Sequence, residues 1–218
     1  MLYIIKEFFR WLAIFTCYPF QLLLFKRRTF YEDGAPRRPW KRGGALTISN
    51  HFNFLDYLML MHAVLPRKLN VVASECVYSN PLLAFGSSFF GTIKADRPSK
   101  SLKFVDEAAE TIKKGGIVHI FPEGRNTPDG NIGRFMESYI LIAYRSGAPI
   151  IPIITDGNYG LFRQASIIVG KPIDVREYLG EGDHFPPRDK LRELNTMIRN
   201  KCLALREELE ERKKGEKR

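Results

Sequence analysis

Apolar positions between residues 43 and 187 fall into two alternating rhythms. The runs ALTIS (45–49), LNVVAS (69–74), IVHIF (117–121), PIIPIIT (149–155) and ASIIVG (165–170) are of strand length and show no polar alternation. That pattern predicts strands covered on both faces. Between them the spacing changes to helical. Residues 56–65 form one such segment. In 101–114, Leu102, Val105, Ala109 and Ile112 make one stripe, with Lys113 and Lys114 in the last turn and Gly115 placed to stop it. A third helix is predicted from Arg134 to Ser146, closed by Gly147. Strands alternating with helices predict an α/β domain, a mostly buried central sheet flanked by helices. From Arg188 onward, Leu191, Leu194, Ile198, Cys202, Leu205 and Leu209 share one side of an amphipathic helix that ends in the charged tail ERKKGEKR. No internal repeat and no low-complexity segment interrupts this order.

The N-terminal segment has a different character. Its longest uncharged run is Trp11 to Phe25, fifteen residues with Pro19 inside it. A helix of that length spans ~22 Å, short of the ~30 Å hydrocarbon core. The run ends in Lys26-Arg27-Arg28 rather than in the small residues of a signal cleavage site. Phe8, Phe9, Trp11, Tyr18 and Phe20 suit an interfacial belt. The expectation is a membrane-associated helix or bent helical pair lying in one leaflet, its basic border on the headgroups. The rival expectations are a core helix of the domain and a single tilted span of residues 2–25. The chain thus divides into a helical segment and basic linker (1–42), an α/β domain (43–187) and a C-terminal helix with tail (188–218).

Charge sharpens that division. The chain has 218 residues and a formal net charge of +10. Residues 1–42 carry nine basic and three acidic side chains, residues 188–218 eleven and seven, and the middle fourteen of each. A nucleic-acid binder spreads its basic stripe over the folded domain. Here the middle is neutral and the excess sits at the ends, one of them apolar, which points to anionic lipid and away from nucleic acid. Cys17, Cys76 and Cys202 are isolated, odd in number and without metal spacing, which suggests a reducing compartment.

The candidate chemistry begins in SNHFNFLDYL (49–58), where His51 and Asp56 stand five positions apart. On one continuous helix they would face away from each other, roughly 140° apart. They can meet only if the chain turns between them, and the change from ALTIS to the following helix puts that turn at Asn50 to Leu55. Asp56 would then accept from one imidazole nitrogen and leave the other free as a base. Taken alone, the pair is equally a histidine capping a turn. Two further stretches lie beside strand ends. FPEGRN (121–126) supplies Glu123, Gly124 and Arg125, a glycine for close backbone approach and a guanidinium fork suited to phosphate. GTIKADR (91–97) supplies Lys94 and Arg97 in a cationic loop before a helix.

In order and spacing these stretches resemble the blocks of the 1-acylglycerol-3-phosphate acyltransferase family. NHFNFLD resembles its N-H-x4-D block, and GTIKADR its second block, which ends in a phosphate-binding arginine. FPEGRN resembles F-P-E-G-x-R, and APIIPIIT (148–155) the proline-containing strand block. The match covers residues 43–170. Arg125 directly follows the glycine, where the family has its arginine one place later. FMES (135–138) stands where the family has F-K-x-G, and Lys94 stands where an aromatic is common.

The resemblance implies a glycerolipid-acyltransferase-like fold and transfer of a fatty acyl group from a thioester, acyl-CoA or acyl-carrier protein, to the free hydroxyl of a lysophospholipid, with 1-acylglycerol-3-phosphate the expected acceptor and phosphatidic acid the product. His51 would be the base and Asp56 its orienting acid. Asn50, Lys94, Arg97, Glu123, Gly124 and Arg125 would hold the acceptor, with backbone N–H groups near Gly124 as candidate oxyanion donors. No metal and no bound cofactor is implied, and the expected partners are membrane lipids and the thioester donor. The expected location is the cytoplasmic face of a membrane. Two rival readings are a different lysolipid acceptor and a membrane lipid-binding module without chemistry.

Overall fold

The five apolar runs all form strands, and two strands that the pattern did not show join them. The computed structural model describes residues 2–74, 78, 91–95, 102–127, 129–180 and 186–215. Among these, the elements in chain order are α1 (Leu2–Phe25), β1 (Arg28–Tyr31), β2 (Ala45–Ser49), α2 (Leu55–Ala63), β3 (Leu69–Ser74), β4 (Ile93–Ala95), α3 (Lys103–Lys113), β5 (Ile117–Ile120), α4 (Ser138–Ser146), β6 (Ile150–Thr155), β7 (Ser166–Val169), α5 (Arg176–Leu179) and α6 (Arg188–Gly215). The strands form one sheet in the order β1-β7-β6-β2-β5-β3-β4. From β6 to β4 all neighbours are parallel, whereas β7 runs antiparallel to β6 and carries β1 parallel to itself.

Every residue of β2, β5, β6 and β7 is buried, as their uninterrupted apolar character requires. One face, with Leu46, Ile48, Val118, Ile120, Ile150 and Ile154, packs on α3, α4 and α6. The other, with Ala45, Ile117, Ile151, Ile153 and Ile167, is covered by α1 and α2. The buried face of α3 is Val105, Ala108, Ala109 and Ile112, and Leu102 lies exposed at its start. Helix α4 begins at Ser138, four residues later than its pattern suggests, because residues 134–137 belong to a returning loop. Gly147 closes it in the left-handed conformation, as expected. All six apolar residues of the C-terminal stripe are buried in the core under α6.

The N-terminal segment needs a correction. Strands were expected only beyond Gly43, yet Arg28–Tyr31 pairs with β7, so the division at 42/43 falls between two strands of one sheet. Helix α1 is continuous through Pro19 and has two faces. Arg10, Ile14, Gln21 and Phe25 form a buried stripe at helical spacing, and Arg10 donates to the Leu69 carbonyl at 2.7 Å. Glu7 pairs with Lys68, whose ammonium also lies 5.2 Å from the Trp11 ring centroid. The opposite face exposes Ile4, Phe8, Phe15, Phe20, Leu22 and Leu23. Among the described residues no helix is long and apolar enough to cross a membrane.

Candidate active site

The C-terminal ends of β2, β5 and β6 lie side by side, and the site is built from the turns that follow them. This edge is where an open parallel sheet presents its ligands. After Ser49 the chain leaves β2, turns through residues 51–54 and enters α2 at Leu55. The turn brings His51 and Asp56 together as their spacing required: Nδ1 of His51 lies 2.9 Å from Oδ2 of Asp56. The same oxygen accepts from the backbone N–H of Phe52 at 2.6 Å and of Asn53 at 2.8 Å. Its twin, Oδ1, accepts from the phenol of Tyr159. Asp56 is wholly buried.

Four donors thus converge on one carboxylate from two separate segments, the turn at residues 51–53 and the loop that carries Tyr159. A carboxylate only accepts, so the imidazole proton facing it sits on Nδ1 and the lone pair on Nε2. The ring is held flat as well as rotated, stacked on Phe121 at 3.8 Å between centroids and 16° between planes. The turn itself is seated by the Phe52 ring, which lies between Gly130 and Gly157. A Cβ at either glycine would come within 2.5 and 2.6 Å of that ring, so no larger residue fits at either position without moving it.

The loop after β5 is knitted to this turn. Thr127 N–H donates to the His51 carbonyl at 2.7 Å, and the Thr127 hydroxyl donates to Oε2 of Glu123 at 3.2 Å. Gly133 N–H reaches the same oxygen at 2.9 Å. Oε1 of Glu123 is buried and has no hydrogen-bond partner among the described residues. Arg125 is exposed, and its guanidinium lies beside Gly133. From the far side, Arg199 of α6 donates to the carbonyls of Gly133 and Ile132 at 2.7 and 3.0 Å and fixes the loop's return.

The expected site residues divide accordingly. His51, Asp56, Glu123 and Arg125 are brought together. Gly124 adopts φ +65°, but its N–H donates to Phe121 within the turn, so it is spent inside the protein and not aimed at an oxyanion. Asn50 is buried and bridges the ends of β2 and β6: its amide donates to the Thr155 carbonyl and accepts from the Thr155 N–H, both at 2.9 Å. Lys94 lies on strand β4, not in a loop, exposed and 5.6 Å from the Tyr78 ring centroid. With β5 and β3 between β4 and β2, it stands about 14 Å across the sheet from the His51 strand. Arg97 lies outside the described residues.

Tyr159 is the functional residue that the motif spacing did not reveal. It is buried, its hydroxyl also lies 2.9 Å from the Thr155 hydroxyl, and its ring packs edge-on against Phe25 at 5.4 Å. Burial, reinforced by the Asp56 carboxylate, raises its phenol well above the ordinary range, so it stays a proton donor to Asp56. His119 is a second buried polar group near the site. Its Nδ1 meets the Thr47 hydroxyl at 2.9 Å and its Nε2 the Ser49 hydroxyl at 3.2 Å. Burial pushes it down to about 3, which keeps it neutral under the strand end that carries His51.

Comparisons with known proteins bear on the family and the fold. The sequence model of the family described as Acyltransferase matches residues 28–156. A chloroplastic 1-acyl-sn-glycerol-3-phosphate acyltransferase of Arabidopsis thaliana is 26% identical over 159 residues, 66% of this chain and 44% of that protein. A Brassica napus relative of the same description is 28% identical over the same share of this chain and 46% of its own. One from Pseudomonas aeruginosa is 34% identical over 86 residues, 38% of this chain and 33% of its own. The chain therefore spans less than half the length of these relatives. The crystal structure of the 1-acyl-sn-glycerophosphate acyltransferase of Thermotoga maritima superposes with a TM-score of 0.57 at 19% identity, covering 95% of this chain and 78% of that one. At that identity the likeness concerns the fold.

Proposed function

The chain belongs to the acyltransferase family, and from that premise we propose that it transfers a fatty acyl group from an acyl thioester to the free hydroxyl of 1-acylglycerol-3-phosphate, giving phosphatidic acid. The observation that carries the proposal is the His51–Asp56 pair, its carboxylate held by three further donors, at the edge where three strand ends meet. Nε2 of His51 accepts the proton of the acceptor hydroxyl as its oxygen attacks the thioester carbonyl. The imidazolium so formed is stabilised by Asp56 across Nδ1–H. The tetrahedral intermediate collapses by breaking the C–S bond, and the proton returns from Nε2 to the departing thiolate. The ester forms directly, and a thioester is reactive enough for His51 to be the only base required.

Arg125, exposed beside Gly133 on the site loop, is proposed to meet the acceptor's phosphate, and Arg97 is proposed for the same group on the resemblance. Glu123 offers Oε1, buried and unpartnered among the described residues, to a glycerol hydroxyl. Membrane association is part of the proposal. The exposed apolar face of α1, bordered by Lys26 and Arg27, supports a protein lying on one leaflet at the cytoplasmic side. A different lysolipid acceptor is the second reading, supported by Met136, exposed on the loop that returns past Glu123 and held there by its N–H on the Pro122 carbonyl at 2.9 Å.

The test offers purified protein an acyl-CoA or an acyl-carrier protein with lysophosphatidic acid, and measures thiol release and phosphatidic acid together. Both should appear in equal amounts. Thiol release without lipid product would mean hydrolysis, and product only with another lysolipid would establish the second reading.

A further inference from the structure

The connection between β6 and β7 is pinned at its base and bare at its tip. Asp156 N–H donates to Ser166 O at 3.1 Å, and Oδ1 of Asp156 accepts from the N–H groups of Asn158 and Ser166, both at 3.0 Å. The Asn158 amide donates across the loop to Gln164 O at 3.1 Å, and Arg163 N–H donates to Gly160 O at 3.1 Å. A loop tied this way is ordered by its own hydrogen bonds, yet Leu161 is 56% and Phe162 97% exposed at its tip. Apolar side chains held out of a stiffened loop mark a contact surface.

Three observations identify what covers it. The loop is joined to the C-terminal end of α1: Ala165 N–H donates to Phe25 O at 2.7 Å, Arg28 N–H to Ala165 O at 2.8 Å, and Tyr159 packs on Phe25. The tip therefore sits beside the helix end that exposes Phe20, Leu22 and Leu23. Cations flank the apolar tip, with Arg163 on the loop and Lys26 and Arg27 after α1, all exposed. That is the charge complement of an anionic bilayer surface. Finally, the loop leaves the sheet at the edge that carries His51, where a lipid acceptor must enter.

We infer that Leu161 and Phe162 form a second bilayer-inserting element, which acts with α1 to set the mouth of the site against the lipid surface. The inference rests on the membrane association proposed above and adds a residue-level contact to it. Because Tyr159 joins this loop to Asp56, the same segment that enters lipid also holds the acid of the pair.

The experiment uses full-length protein and vesicles of phosphatidylcholine with phosphatidylglycerol. A Phe162→Trp variant in a Trp11→Phe background reports insertion, with buried Trp40 as an internal reference. On vesicles the added tryptophan should shift to the blue and be quenched by brominated lipid tails. A Leu161→Ser/Phe162→Ser double variant should lose about tenfold or more in vesicle affinity, from the apolar area withdrawn, with transfer to a dispersed short-chain acceptor unchanged. Vesicle-bound protein whose added tryptophan stays unquenched overturns the inference and leaves membrane association by α1 standing. Failure of the parent protein to bind vesicles overturns both. A protein dimer that the serine pair dissolves, with no quenching, assigns the tip to a second copy instead.

Discussion

The phenol of Tyr159 donates to Oδ1 of Asp56 from a loop 103 residues further along the chain. Asp56 takes its other contacts from its own turn, so among the described residues it is Tyr159 that ties the acid to the β6–β7 connection and, through Phe25, to the end of α1. Removing the hydroxyl in Tyr159→Phe keeps the ring contact and leaves one carboxylate oxygen unpaired in a buried place. The expected result is a fall in kcat of about tenfold with acceptor KM unchanged, the size of one hydrogen bond to a charged group. Steady-state kinetics with a thermal melt separates this from instability, which would lower the active fraction without altering KM or the turnover of folded molecules.

Arg125 faces solvent at the site loop, and in the proposed function its charge would meet the acceptor equally before and during reaction. Arg125→Ala should raise the acceptor KM more than it lowers kcat. Acceptor saturation curves check this, and unchanged saturation would remove Arg125 from the site. Glu123→Ala should cost more than acceptor binding, because Oε2 also holds Gly133 and Thr127. Glu123→Gln separates the two roles, since an amide can still accept from the loop.

His119 makes stability depend on acid. Its imidazole is pushed down to about 3 from an ordinary 6.5, with burial as the leading cause. Above pH 6.5 both folded and unfolded forms are neutral and stability is full. As pH falls from 6.5 toward 3 the unfolded chain takes a proton that the folded chain refuses, so stability drops by about 1.4 kcal/mol per pH unit. Denaturant unfolding at pH 7 and pH 5 should show a loss of about 2 kcal/mol that is smaller in His119→Gln. His62, also lowered by burial, adds a loss of the same sign to both proteins. Equal slopes in the two would show that His119 does not titrate on unfolding.

The N-terminal helix should not be removable without damage. Deleting residues 1–27 strips Ile14 and Phe25 from the core and Arg10 from the Leu69 carbonyl. The cost is on the order of 4 kcal/mol or more, a large part of a typical domain's stability. Replacing Phe8, Phe15 and Phe20 with serine addresses the exposed face instead. It should preserve the melting temperature and weaken vesicle sedimentation. A truncated protein that melts like the full chain would contradict the docking of α1.

The buried strands were legible because a sheet covered on both faces leaves unbroken apolar runs, and the His51–Asp56 turn because five residues cannot bring a pair together on a helix. Strand β1, RTFY, was not legible: it is a half-buried edge strand with a basic start, and its neighbours made it read as a linker. Strand β4 is three residues long, with Lys94 at its exposed centre, and gives no period to recognise. Tyr159 and Asn50 do their work across 103 and 105 residues, and no local spacing encodes such contacts. His119 looked like an ordinary strand position because its partners, Thr47 and Ser49, lie on the neighbouring strand. A glycine such as Gly124 suggests close backbone approach to a ligand, but its conformation also closes a tight turn, and that turn uses its own N–H on the Phe121 carbonyl.

Single-residue removal of the base is the most direct test of acyl transfer by the His51–Asp56 pair. Purified wild-type and His51→Ala proteins, matched by circular dichroism and melting temperature, are given acyl thioester and lysophosphatidic acid, and the initial rate of phosphatidic acid formation is measured. The pair predicts a loss of ~100-fold or more in His51→Ala, the range for a positioned general base, with Asp56→Asn retaining more activity than His51→Ala. Near wild-type turnover by folded His51→Ala protein would contradict it.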